Sequence, residues 1–149
     1  MIKAKDIMRK DVIVVSEDMT VRELGRLFME KGISGAPVVD KDGTLKGIVT
    51  ENDLISQNKR LHIPTFLRLF DAIIPLENLG TLEEEIKKMT ASTVAEICTR
   101  DVISVGEDTE IEEIATLMVE KRIHLLPVVR DGKLVGIIGR HEVLRGIGS

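Results

Sequence analysis

Gly47-Ile48-Val49-Thr50-Glu51-Asn52-Asp53-Leu54 runs from a short apolar segment straight into a helix start. Gly47 interrupts the polar turn before it, and Ile48 and Val49 are β-branched, which suits a strand. Thr50 is followed three residues later by Asp53 and then by Leu54-Ile55, the pattern of a helix N-terminus. Such a terminus gathers a hydroxyl, backbone N–H groups and a carboxylate in one place. That set suits a phosphate and a ribose. It equally suits a helix that merely caps itself, and the residues alone leave both readings open.

Outward from this stretch, the chain repeats itself. Gly136-Ile137-Ile138-Gly139-Arg140-His141-Glu142-Val143 is a second version, and its flanks match too. Asp11-Val12-Ile13 returns as Asp101-Val102-Ile103, Glu17-Asp18 as Glu107-Asp108, and Glu30-Lys31 as Glu120-Lys121. Pro37-Val38-Val39 returns as Pro127-Val128-Val129, and the turn Lys41-Asp42-Gly43 shortens to Asp131-Gly132. The period is too long, and the copies too few, for a solenoid. Two copies predict a pseudo-two-fold pair.

Each copy reads β-α-β-β-α. Val12–Val15 is a short β-branched run and hence a strand. Asp18 and Thr20 are candidate N-caps for a helix whose apolar face is Val21, Leu24, Leu27 and Phe28, matched by Ile111, Ile114, Leu117 and Met118. Gly32 suits the end of that helix in copy one, whereas copy two carries Arg122 there. Ala36–Val39 and Leu45–Val49 form a hairpin, entered through Pro37 at the first residues of a strand. The expected class is α/β, with a parallel pair from the crossover and an antiparallel pair from the hairpin. One copy is only half a core, so two should pack together.

The expected divisions are residues 1–58 for the first repeat, 59–93 for an insert and 94–149 for the second repeat. In the insert, Phe66, Leu69, Phe70, Ile73 and Ile74 mark one helical face, and Thr81-Leu82-Glu83-Glu84 opens a second helix. The two phenylalanines read first as packing residues.

The chain has 149 residues, 43% hydrophobic and 31% charged, which suits a soluble globular protein. A net charge of −4 argues against broad binding to nucleic acid, and with only Phe28, Phe66 and Phe70 as aromatics there is no stacking platform for single strands. No apolar run is long enough to span a membrane, and the N-terminus lacks the apolar core of a signal peptide. The single Cys98 cannot form an internal disulfide, so a cytoplasmic location is expected. Cys98 and His62 lack partners at metal-ligand spacing, and no metal is expected. No nucleophile–base pair, paired carboxylates or Gly-rich phosphate loop stands out, so no enzyme activity is expected.

Asp6-Ile7-Met8, Asp11 to Val15, Ile33-Ser34-Gly35-Ala36-Pro37-Val38-Val39-Asp40 and Gly47-Ile48-Val49-Thr50-x-x-Asp53 together resemble a cystathionine-β-synthase (CBS) domain. The second copy resembles it as well, so the chain looks like a tandem CBS pair, or Bateman module. The resemblance implies two repeats packed sheet to sheet about a pseudo-two-fold, with a helical insert between them. It implies clefts that bind an adenosine derivative as a regulatory ligand: AMP, ADP, ATP or S-adenosylmethionine. It also implies a homodimer and a protein target regulated in trans, since copy two ends at Leu144, close to the last residue.

Carried over residue by residue, the resemblance gives one good site. Asp53 accepts from the ribose hydroxyls, Thr50 faces the phosphate, and Ile48 lies against base or sugar. Ser34 adds a wall from copy one; Thr99, Ile103, Ile123, His124 and Leu125 add walls from copy two, with backbone beside Pro127 at the adenine edge. The second set is Ile13, Ile33, Gly35, Ile137, Arg140, His141 and Glu142. There Gly139 removes the hydroxyl and Glu142 replaces the aspartate, so this site is expected to be degenerate or empty. The competing reading is an interaction module with a vestigial cleft.

Overall fold

The computed structural model describes residues 1–56 and 92–149; the two helices expected within the insert lie outside the described residues. Copy one contains helices α1 (Ala4–Ile7) and α2 (Val21–Lys31), strands β1 (Gly35–Val39) and β2 (Leu45–Thr50), and a helix α3 that opens at residue 51 and is described through residue 56. Copy two repeats the order with α4 (Val94–Ile97), α5 (Ile111–Glu120), β3 (Leu125–Arg130), β4 (Lys133–Gly139) and α6 (Arg140–Ile147). Among the described residues no helix is long and apolar enough to cross a membrane.

Local chemistry sets most of these boundaries. Thr20 is the cap of α2: its hydroxyl oxygen accepts from the Glu23 N–H at 3.1 Å, and Glu23 accepts from the Thr20 hydroxyl at 2.9 Å. Gly32 closes α2 in the left-handed region at φ 62. The β3–β4 turn is Asp131-Gly132 with φ 52 and 78, the paired positive values a two-residue hairpin demands. In copy one Asp40 and Thr44 still bond across the turn at 3.1 Å, leaving Lys41-Asp42-Gly43 as the turn itself. The Asp40 carboxylate accepts from the N–H groups of Asp42 and Thr44 at 2.9 and 3.0 Å. Those backbone donors, Thr44 foremost, hold its carboxyl below the ordinary value.

The first strand of each repeat is shorter than its β-branched run predicts. Only Val15 pairs with Val38, and only Val105 with Val128, both in parallel. Val15 donates to the Pro37 carbonyl and accepts from Val39, each at 3.0 Å. One step earlier in a parallel ladder, the N–H at position 37 would donate to the Ile13 carbonyl. Proline has no N–H, so the ladder stops there, and Pro127 stops it in copy two. Each sheet is therefore a two-stranded hairpin extended by a single parallel residue.

The lead-in helices change sides. Ala4 and Ile7 of α1 are buried in the core of copy two, with Ile111, Ile114, Leu126 and Ile138. Val94 of α4 is buried in the core of copy one, with Leu24, Phe28, Val38 and Val49. Each crossing is closed by backbone pairing at a sheet edge. Arg9 and Ile137 exchange two bonds of 2.9 Å; Ile48 and Thr99 exchange bonds of 2.9 and 2.8 Å. The hairpin tips also meet, through Leu45 N–H to Gly132 O and Leu134 N–H to Gly43 O, both 3.0 Å. Each repeat thus completes its hydrophobic core with a helix from the other.

Candidate functional site

The crossing at Ile48 and Thr99 creates a concave place between the copies. A cleft of about 450 Å³ opens there, lined from copy one by Ser34, Gly35, Ile48 and Thr50. Copy two supplies Thr99, Ile103, Ile123, His124 and Leu125. Strand β2 delivers Ile48 and Thr50, and the loop from Ile33 into β1 delivers Ser34. The approach to Val105 delivers Ile103, and the α5–β3 connection delivers Ile123 and His124. Eight of the residues assigned to the good site from sequence therefore line one cavity: Ser34, Ile48, Thr50, Thr99, Ile103, Ile123, His124 and Leu125.

Asp53 and Pro127 stand apart from that lining. The Asp53 carboxylate accepts from the Thr50 backbone N–H at 2.8 Å and from its hydroxyl at 3.3 Å. It is the helix cap of the local reading in this conformation. Pro127 is fully buried in β3, and its carbonyl accepts from Val105 at 3.0 Å. Next to Thr99 but outside the lining, Cys98 packs against the core of copy one, and its thiol is pushed above its ordinary value, chiefly by burial and further by the Glu17 and Asp53 carboxylates. A thiol so placed stays protonated at neutral pH and is a packing group.

The second set of residues is arranged differently. Gly35 belongs to the first cleft. Ile33 packs against the core of copy one, and Ile13 is half-buried beyond the shortened strand. Ile137 is buried and paired with Arg9. Glu142 is 5% exposed, accepting from the Gly139 N–H at 2.8 Å and facing the Arg9 guanidinium at 3.4 Å. Its carboxylate is thus already committed to the protein. His141 is exposed. Arg140 lines a second, mostly apolar groove of about 590 Å³ with Met118, Val119, Val143 and Leu144, and this groove adjoins the first cleft through Arg122, Ile123 and His124, which line both.

Glu51, Asn52, Asp101, Val102 and Arg122 also line the first cleft and were not singled out from sequence. Glu51 and Asn52 are the two unspecified positions inside the Thr50-x-x-Asp53 pattern. Arg122 had a visible signal, since it stands where copy one has Gly32.

A family model described as the CBS domain matches residues 4–59 and again 94–149. The uncharacterised protein MJ1426 of Methanocaldococcus jannaschii is 38% identical over 153 residues, an alignment covering 96% of this chain and 89% of that protein. The crystal structure of Arabidopsis thaliana CBSX2 in complex with AMP is similar at a TM-score of 0.76 and 29% identity, with 99% of this chain and 96% of that one covered. This chain spans 59% of the full-length chloroplastic CBSX2 sequence. The CBS domain pair of protein MJ0100, in complex with 5′-methylthioadenosine and S-adenosyl-L-methionine, is similar at a TM-score of 0.73 and 25% identity, with 99% and 100% covered.

Proposed function

Because the chain belongs to the CBS domain family and carries the domain twice, we propose that it is a regulatory module that binds an adenosine-containing ligand between its repeats. The observation that carries this reading is the shared cleft, which takes Ser34, Ile48 and Thr50 from one copy and Thr99, Ile103, Ile123 and His124 from the other. A ligand seated there touches both copies, so it favours whichever relative arrangement it binds better. The solved relatives hold AMP in one case and 5′-methylthioadenosine with S-adenosylmethionine in another, which supports an adenosine ligand of the AMP, ADP, ATP or S-adenosylmethionine class. Aliphatic Ile48, Ile103 and Ile123 can sandwich a base, no aromatic being among the described residues that line the cleft.

The output passes to a protein target or across a homodimer, in the cytoplasm. Exposed Met29 and Ile55 on the helices of copy one, and Val119, Leu144 and Ile147 on those of copy two, offer apolar surface for such pairing. The chain acts as a binder rather than a catalyst, and steady consumption of nucleotide at saturation would contradict this.

Calorimetry and thermal unfolding against AMP, ADP, ATP and S-adenosylmethionine test the reading. The cognate ligand at 100 times its Kd should stabilise the chain by about 2.7 kcal/mol. Asp53→Ala should abolish that response, because the carboxylate must turn from Thr50 to the ribose hydroxyls on binding. A response unchanged in Asp53→Ala would assign the ribose to another acceptor, Asp101 or Glu51. Silence from all four compounds would leave the chain as an interaction module.

A further inference from the structure

Helices α2 and α5 end at equivalent places with the same closing bond. Ile33 N–H reaches the Phe28 carbonyl at 3.1 Å, and Ile123 N–H reaches that of Met118 at 3.1 Å. The bond requires a left-handed residue just before it. Copy one uses Gly32 at φ 62, and copy two uses Arg122 at φ 53. Glycine adopts that conformation without steric penalty, whereas a side chain there is strained. Strain held at one residue raises the question of what its side chain reaches.

Arg122 stands at the junction of the cleft and the adjoining apolar groove and lines both. Among the described residues the charged and titratable groups lining the cleft are Glu51, Asp101, Arg122 and His124, so Arg122 is the one guanidinium there. Arg9, Arg100 and Arg130 each face a carboxylate within salt-bridge distance; Arg122 faces none among the described residues. Glu51 and Asp101 can accept from sugar hydroxyls, but neither can meet an anion. A guanidinium fork can hold two oxygens of one anionic group at once.

We propose that Arg122 is the specificity-determining residue of the cleft, making it select adenosine ligands with an anionic oxygen group, phosphoryl or carboxylate, over neutral ones. This rests on reading the cleft as an adenosine site. The test is calorimetry of the whole chain at low salt with AMP, adenosine, S-adenosylmethionine and 5′-methylthioadenosine. Preference for AMP over adenosine of at least about tenfold identifies the phosphoryl group; the same preference for S-adenosylmethionine over 5′-methylthioadenosine identifies the carboxylate when Arg122→Gly removes it, since the sulfonium and ammonium that also distinguish the two gain nothing from a guanidinium. Arg122→Gly fits the left-handed backbone, so its Tm without ligand should equal or exceed that of the wild type. It should erase the preference while leaving the neutral ligand's affinity unchanged. Arg122→Lys, which keeps charge but not the fork, should retain part of the preference. A preference intact in Arg122→Gly, or an equal loss for neutral and anionic ligands, overturns the proposal. Equal affinity of the wild type for all four compounds overturns it too, while sparing the adenosine reading. Binding of none overturns both.

Discussion

Ile7→Ala should remove about 3 kcal/mol of stability, and the loss should appear in the core of copy two, although Ile7 belongs to the first helix of copy one. Ile7 is 4% exposed and packed with the core of copy two. Its surroundings cannot collapse into the space it would leave. A Cβ on Gly146 of α6 would lie 2.8 Å from Ile7 Cγ2, so the backbone of α6 already presses on this side chain. Helix α1 is fixed by Ala4 N–H to Thr109 O at 2.8 Å and Lys5 N–H to Glu107 O at 3.0 Å. The Arg145 guanidinium also donates to the Ile7 carbonyl at 3.0 Å. With both walls held, the substitution leaves a cavity rather than a rearrangement, which places the cost mid-range for such truncations. Chemical denaturation gives the magnitude, and amide exchange gives the location. Protection of β3–β4 should fall before that of β1–β2. Val94→Ala should do the reverse, by about 1–2 kcal/mol for its smaller side chain. Equal loss in both sheets would mean that the two cores do not respond separately to the helices they exchange.

That exchange marks the limit of what the residues disclose. The hairpins were legible because their signals are local: Asp131-Gly132 fixes one turn, Gly43 the other, and the short apolar runs around Pro37 and Pro127 need no distant partner. The cap of α2 is equally local. Ala4-Lys5-Asp6-Ile7, by contrast, shows a short apolar face without saying which copy it covers. The first strands failed for a physical reason that was present but unread. Pro37 is tolerated by its own strand, yet its missing N–H also deprives the neighbour of a ladder bond. In the cleft, the β-branched walls and Thr50 followed from the resemblance to the CBS domain, carried over residue by residue. The direction of the Asp53 carboxylate is set by competition between a cap and a ligand, which spacing cannot resolve. Arg122 carries a signal in standing where copy one has Gly32, but that position speaks of a helix end and not of the cleft beside it.

Gly47→Val should disable the cleft, lowering ligand affinity at least about tenfold and stability by about 3 kcal/mol. Gly47 sits in β2 opposite Val38, where the Thr99 backbone crosses the edge of the sheet. A Cβ there would lie 2.8 Å from the Thr99 carbonyl oxygen and 3.1 Å from Cys98 Sγ. The first of these is backbone and cannot rotate away, so the crossing segment must move. Moving it breaks the Ile48–Thr99 pair, two bonds worth about 1 kcal/mol each, and adds overpacking strain of about 1–3 kcal/mol. Thr99 and Ile103 follow directly and line the cleft, so its copy-two wall shifts with them. The pseudo-symmetric change provides the contrast. A Cβ on Gly136 meets Met8, most closely through the side-chain atoms Sδ and Cγ, which can swing aside, leaving a contact of 3.1 Å to Met8 Cβ that a small shift relieves. Gly136→Val should therefore cost less stability and leave the affinity of the first cleft within about twofold, being at the other crossing. Gly25→Ala, with open space around its position in α2, should not weaken either property. Wild-type affinity in Gly47→Val would show that the Ile48–Thr99 crossing does not set the geometry of the cleft. The two crossings are built alike, so the difference between Gly47→Val and Gly136→Val isolates position from chemistry: the same valine, set against backbone at the cleft or against a flexible side chain away from it.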